Sequence, residues 1–143
     1  MPLAEDAANE IENKIKELNA KGHLHMQLIQ NEPRAFQCML AKYGKFRNVS
    51  NYIVMAGKKT AGLDERIGYY GEQLVLSAQM AGLNTCWVGQ SYYFEYMNVD
   101  GVSPAKVRAV NKFSLVGFTK MDLGIAKCHF EIGAGKENFT WAE

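Results

Sequence analysis

Leu63-Asp64-Glu65-Arg66-Ile67-Gly68-Tyr69-Tyr70-Gly71-Glu72-Gln73-Leu74-Val75-Leu76-Ser77-Ala78-Gln79-Met80-Ala81-Gly82-Leu83-Asn84-Thr85-Cys86-Trp87-Val88-Gly89 is the stretch that decides the fold. Leu63, Ile67, Tyr70, Leu74, Ala78 and Ala81 recur at steps of three and four, which puts them on one face of a helix of about five turns. Tyr69, Leu76 and Met80 form a second apolar row, and Gly68, Gly71 and Val75 a third of small residues. Glu65, Glu72 and Gln79 are left as a narrow polar stripe. A helix apolar nearly all round is buried in a large core or pressed against another subunit. A chain of 143 residues has little core to spare, so the pattern predicts an oligomer.

The ends of this helix are legible too. Asp64 and Glu65 suit the positive end of the helix dipole, with Leu63-Asp64 as an apolar residue before an N-cap. Gly82 suits the left-handed position after the last turn, with Leu83 folding back onto it. Thr85 to Gly89 is short and β-prone, and reads as a buried strand ending where glycine lets backbone approach a ligand.

With these residues in place, Gly68 to Gly89 resembles the core helix and following strand of the nitroreductase-like flavoproteins, in particular their TM-type branch. Tyr43 to Ile53 and Asp122 to Phe139 resemble the same branch, so the likeness spans roughly Leu24 to the C-terminus with a gap. Two departures stand out. No Arg-rich opening of the kind that holds a flavin phosphate precedes Gly22, and only Gln90 to Lys106 stand where the family carries a longer segment. The resemblance implies an α+β nitroreductase-like fold, with a central antiparallel or mixed sheet flanked by helices and the buried helix at a homodimer interface. It also implies FMN as cofactor and NAD(P)H as co-substrate. Hydride would pass through the flavin to a nitroaromatic, a quinone or a similar acceptor, with no catalytic side chain required. Thr85, Cys86, Trp87, Val88 and Gly89 would form the flavin-facing turn. The competing reading is a non-catalytic dimeric binding or structural protein that keeps the scaffold without the phosphate grip. Arg34, Lys42, Arg47, Lys58, Lys106 and Arg108 are the cations whose convergence on one pocket would separate the two.

The rest of the chain bounds the function. Its length predicts one domain, residues 1–143. A formal charge of +1 with 22% charged residues of mixed sign gives no electrostatic case for nucleic acid or an anionic membrane. The absence of a long apolar run and of a signal pattern predicts a cytoplasmic protein. Cys38, Cys86 and Cys128 are odd in number and set among apolar neighbours, which predicts reduced, buried thiols. Dinucleotide, P-loop, zincin and nucleophile-elbow signatures are all missing.

Met1 to Ala20 has the spacing of an amphipathic helix that Lys21-Gly22 stops. His23 to Gln30 alternates as a strand with Leu24, Met26 and Leu28 inward; His23 and His25 lack a third ligand and read as its polar face rather than a metal site. Asn31-Glu32-Pro33 opens a short helix ending at Tyr43-Gly44, with Lys42, Lys45 and Arg47 as a solvated cluster or a phosphate grip. Tyr52 to Ala56 is predicted to be a strand buried on both faces. The aromatic run Gln90 to Met97 suits packing, a subunit contact, or a wall for a planar ring. Lys106 to Val110 reads as an exposed strand forming a hairpin with Phe113 to Phe118, and Met121 to Ala134 as a helix in which His129 is a core or interface residue. Ala81 to Trp87 and Ala134 to Trp141 echo each other as helix-to-strand exits.

Overall fold

The computed structural model describes residues 2–32, 49–87, 93–97, 105–110 and 119–142; of 93–97 and 105–110 it describes the backbone. Helix α1 spans Glu5–Gly22 and buries Ala8, Ile11, Ile15 and Leu18, the stripe expected from their spacing. It runs past Ala20, and the residue that ends it in the left-handed region is His23 (φ 51°) rather than glycine. Gly22 serves packing instead: a Cβ there would stand 2.6 Å from the Tyr70 ring.

Strand β1 (Gln27–Ile29) pairs antiparallel with β2 (Tyr52–Val54), Leu28 opposite Ile53, and a bridge between Leu24 and Gly57 extends the pairing. Leu24 and Met26 enter the core while His23, His25 and Gln27 face outward, as the alternation predicts. The Asn19 side chain fixes the approach to β1 by bonding both backbone groups of Met26, accepting from its N–H at 2.7 Å and donating to its carbonyl at 2.9 Å. β2 corrects the expectation of burial on both faces: Val54 is 40% exposed, because the pair is covered on one side only.

Helix α2 spans Leu63–Met80. Ile67, Leu74 and Ala78 join Ile11, Ile15, Leu18, Leu24 and Met26 in one core, with Leu63 and Tyr70 packed at its margin. Gly62, not Asp64, precedes the first turn, and no side chain caps it. The carboxyl end forms a Schellman motif: Gly82 (φ 73°) bonds back to Gln79, and the Leu83 N–H reaches the Ala78 carbonyl at 2.9 Å. Leu83 then packs on the core, as predicted.

Helix α3 spans Thr119–Ala134 and is followed by a 3₁₀ turn at Lys136–Asn138. Strands β3 (Tyr93–Met97), β4 (Ala105–Val110) and β5 (Phe139–Trp141) form a mixed sheet in the order β3-β4-β5. β4 runs antiparallel to β3 and parallel to β5. The described neighbours of β4 are thus β3 and β5; the hairpin partner read at Phe113 to Phe118 lies outside the described residues. So does the short helix read between Pro33 and Tyr43. Helices and small sheets succeed one another along the chain in an α+β arrangement. Among the described residues, no helix is long and apolar enough to cross a membrane.

Candidate functional site

The site begins where α2 and α3 touch backbone to backbone. A Cβ on Gly68 would overlap the Met121 carbonyl, and one on Gly124 would overlap the Glu65 carbonyl, so each glycine admits the other helix. The small-residue row of α2 is therefore a helix contact within the chain. Its second member, Gly71, leaves room for the Trp87 ring, whose atoms would lie 2.7 Å from a Cβ there.

This crossing covers part of the polar stripe. Glu72 is only 4% exposed. Its Oε2 accepts from the Trp87 indole N–H at 2.6 Å, and its Oε1 meets His129 Nε2 at 2.6 Å. One buried carboxylate thus ties α2, α3 and the segment after Gly82 together. Such a group is tolerated in a core only when its oxygens are engaged, and both are. His129 itself is half exposed.

On α3, two residues beyond His129, a second carboxylate does similar work. Glu131 accepts from the Tyr69 hydroxyl at 2.6 Å and from the Trp141 indole at 2.8 Å, with Lys136 Nζ at 3.6 Å. Trp141, Phe139 and Phe130 pack mutually, edge to face or tilted, and fasten β5 to α3. Lys127 pairs with Glu65 at 2.5 Å and lies 5.2 Å over the Trp141 ring. An open cleft of about 410 Å³ is lined by Arg66, Tyr69, Tyr70, Lys127, Glu131 and Trp141. The polar groups around it mostly bond one another.

Burial pushes the Glu131 carboxyl upward, but the hydrogen bonds from Trp141 and Tyr69 and the charge of Lys136 outweigh it, leaving it below the ordinary 4.5. A carboxylate depressed in the folded state stabilises the fold above its ordinary value, and that contribution fades as pH falls through the lower folded one. Acidification below about 4.5 is therefore expected to release Trp141 before global unfolding, as a shift in Trp141 emission in a Trp87→Phe background. Glu131→Gln should abolish that early acid transition; if it persists unchanged, another group drives it.

Of the predicted flavin-facing residues, Thr85 and Cys86 are exposed, and Trp87 is half-buried on α2. No strand forms at Thr85 to Trp87, which corrects the expectation of a buried strand there; Val88 and Gly89 lie outside the described residues. The cysteine expectation splits. Cys128 is buried, with its thiol pushed up to about 11 by burial and then by the Glu72 and Glu131 charges, whereas Cys86 is exposed. Cys38 lies outside the described residues. In a Cys38→Ser background, a thiol reagent near pH 8 is expected to modify Cys86 at least about a hundredfold faster than Cys128, read by peptide mass. Equal rates would contradict the buried placement of Cys128.

His23 and His25 stay on the polar face of the β1 segment, and no group of three metal-ligating side chains forms among the described residues. Glu72, His129 and Glu131 are the residues that sequence reasoning missed as a unit. The one available signal was Glu72, a carboxylate in the middle of a helix apolar nearly all round.

A family model described as "Putative TM nitroreductase" matches the chain over residues 1–100. The match takes in α1, which the resemblance in sequence had left aside, and ends before Asp122 to Phe139. No curated protein and no solved structure matches the chain.

Proposed function

The chain belongs to the TM nitroreductase family, whose general character is that of an oxidoreductase, and on that premise we propose an FMN-dependent reductase. When bound, the flavin would carry hydride from NAD(P)H to a nitroaromatic, a quinone or a similar acceptor. Thr85, Cys86, Trp87, Val88 and Gly89 would meet the flavin ring, and two copies of the chain would form the working unit.

The observation that carries this reading is the fixed Trp87 beside an exposed, ladder-free Thr85 and Cys86. A planar cofactor needs a flat wall that does not move and backbone free of a sheet at the ring edge. Glu72 and Gly71 supply the first, and the segment at Thr85 and Cys86 the second. The ring end therefore fits. For the phosphate, Arg34, Lys42 and Arg47 lie outside the described residues and Lys58 stands exposed on the connection to α2. When bound, FMN would supply the hydride chemistry, and the chain's own part is to hold and orient it. The dimer draws support from α2, where Met80 remains 86% exposed beyond the core face.

A visible absorption spectrum of the purified protein, taken before and after adding FMN and desalting, tests the proposal. Flavin bands near one per chain are the expected result. A colourless protein that retains none overturns it.

A further inference from the structure

We propose that His129, oriented by Glu72, donates the proton that accompanies hydride to an oxygen-bearing acceptor; this rests on the flavin reading above. The argument starts from the two ends of one carboxylate. Trp87 can only donate, so Glu72 Oε2 must accept. Oε1 is then the acceptor best placed to hold an Nε2–H of His129, at 2.6 Å. A carboxylate on one imidazole nitrogen fixes the ring's tautomer and orientation, the arrangement that general acid–base histidines use. Glu72 is buried while the His129 ring is half exposed, so the pair has one anchored end and one end open to a ligand.

Position makes the pair relevant to the proposed reaction. Trp87 and His129 occupy the two oxygens of the same carboxylate, so the imidazole stands one carboxylate away from the turn assigned to the flavin ring. The neighbouring charges are already engaged elsewhere. Glu65 pairs with Lys127, and Glu131 is held by Tyr69, Trp141 and Lys136. From α2, Glu72 is the charged group bonded to the imidazole.

Reduction of the acceptor consumes a proton, and a positioned imidazole delivers it faster than bulk water does. A quinone reduced by hydride gains two electrons and one proton, and its second oxygen must take another proton to give the hydroquinone. The Nδ1–H bond of the imidazolium breaks as that O–H bond forms, leaving neutral His129, which regains a proton from water. A nitro group likewise needs hydride plus a proton to give a nitroso product and water, through loss of one oxygen. An obligate electron acceptor such as ferricyanide takes electrons and no proton. The two acceptor types therefore separate proton delivery from electron supply.

The test compares wild type with His129→Gln, whose amide N–H₂ still donates to Glu72 and so preserves the fold and Trp87, checked by circular dichroism and FMN content. The ratio of benzoquinone to ferricyanide reduction, driven by NADPH, is expected to fall at least about tenfold in the variant, with partial recovery on adding imidazole. A purely structural role would lower both rates together. A ratio within about twofold of wild type, with FMN retained, overturns this inference alone. Wild type that retains no FMN overturns the parent reading and this inference with it. Nitrogen NMR of the flavin-free protein gives a readout without turnover: the His129 Nε2 resonance should be that of a protonated nitrogen bonded to carboxylate, and should move in Glu72→Gln. An unmoved resonance also overturns the pairing on which the proposal stands.

Discussion

Gly124→Ala is expected to destabilise the protein by about 3 kcal/mol or more and to lower its melting temperature by about 10 °C. The new methyl would overlap the Glu65 carbonyl and stand 2.7 Å from the Tyr69 backbone nitrogen. Both are backbone atoms inside α2, so no side chain can rotate away to make room. The helices must separate, and separation reaches the reciprocal contact at Gly68, where a Cβ would stand 3.0 Å from Ile125 N, as well as the Glu72–His129 bond one turn on. Gly133→Ala is the matched control. It lies in the same helix, where a Cβ would meet nothing within 4 Å, so the change should be neutral or stabilise by up to about 1 kcal/mol through helix propensity. Thermal and urea melts of the two variants decide the matter. If both melt alike, the glycine crossing does not hold the helices together.

That contrast also shows how far the sequence was readable. The spacing of Ile67, Leu74 and Ala78 gave the buried face of α2, and Gly82-Leu83 gave its end, because periodicity and cap chemistry are local. The row of small residues was visible, but whether it met another subunit or α3 depends on Met121 and Gly124, more than fifty positions away in the chain. Glu72 was placed with the polar stripe for the same reason. Its partners Trp87 and His129 lie 15 and 57 positions away, and only the tertiary crossing buries it. Thr85 to Trp87 misled in the opposite direction: β-prone side chains favour a strand only where a sheet edge receives them, and the Glu72–Trp87 bond holds this segment against α2 instead. The left-handed His23 escaped notice because glycine next to it looked like the better stop, while the space at Gly22 is taken up by Tyr70.

Glu72→Ala is expected to cost about 2–4 kcal/mol, the second large loss, and to act through a different mechanism. Removal of the carboxylate leaves the half-buried Trp87 indole without its acceptor and His129 without its partner, and opens a gap in a contact that is otherwise closed. No described helix or sheet bond crosses Thr85 to Trp87, so the segment has little else to hold it and should loosen as a unit. In a Trp141→Phe background, Trp87 emission should shift to the red and become accessible to an aqueous quencher. Glu72→Gln separates the parts. Its amide oxygen can still accept from Trp87, so emission should stay near that of wild type, while its nitrogen can only donate towards His129 and forces the opposite tautomer, at about 1 kcal/mol. The expected order of stability is therefore wild type, then glutamine, then alanine, with Trp87 displaced only in the last. Should alanine leave Trp87 emission and the melting temperature unchanged, the wall beside Thr85 and Cys86 would be held by something other than this carboxylate. Both proposals that lean on its rigidity would then lose their support.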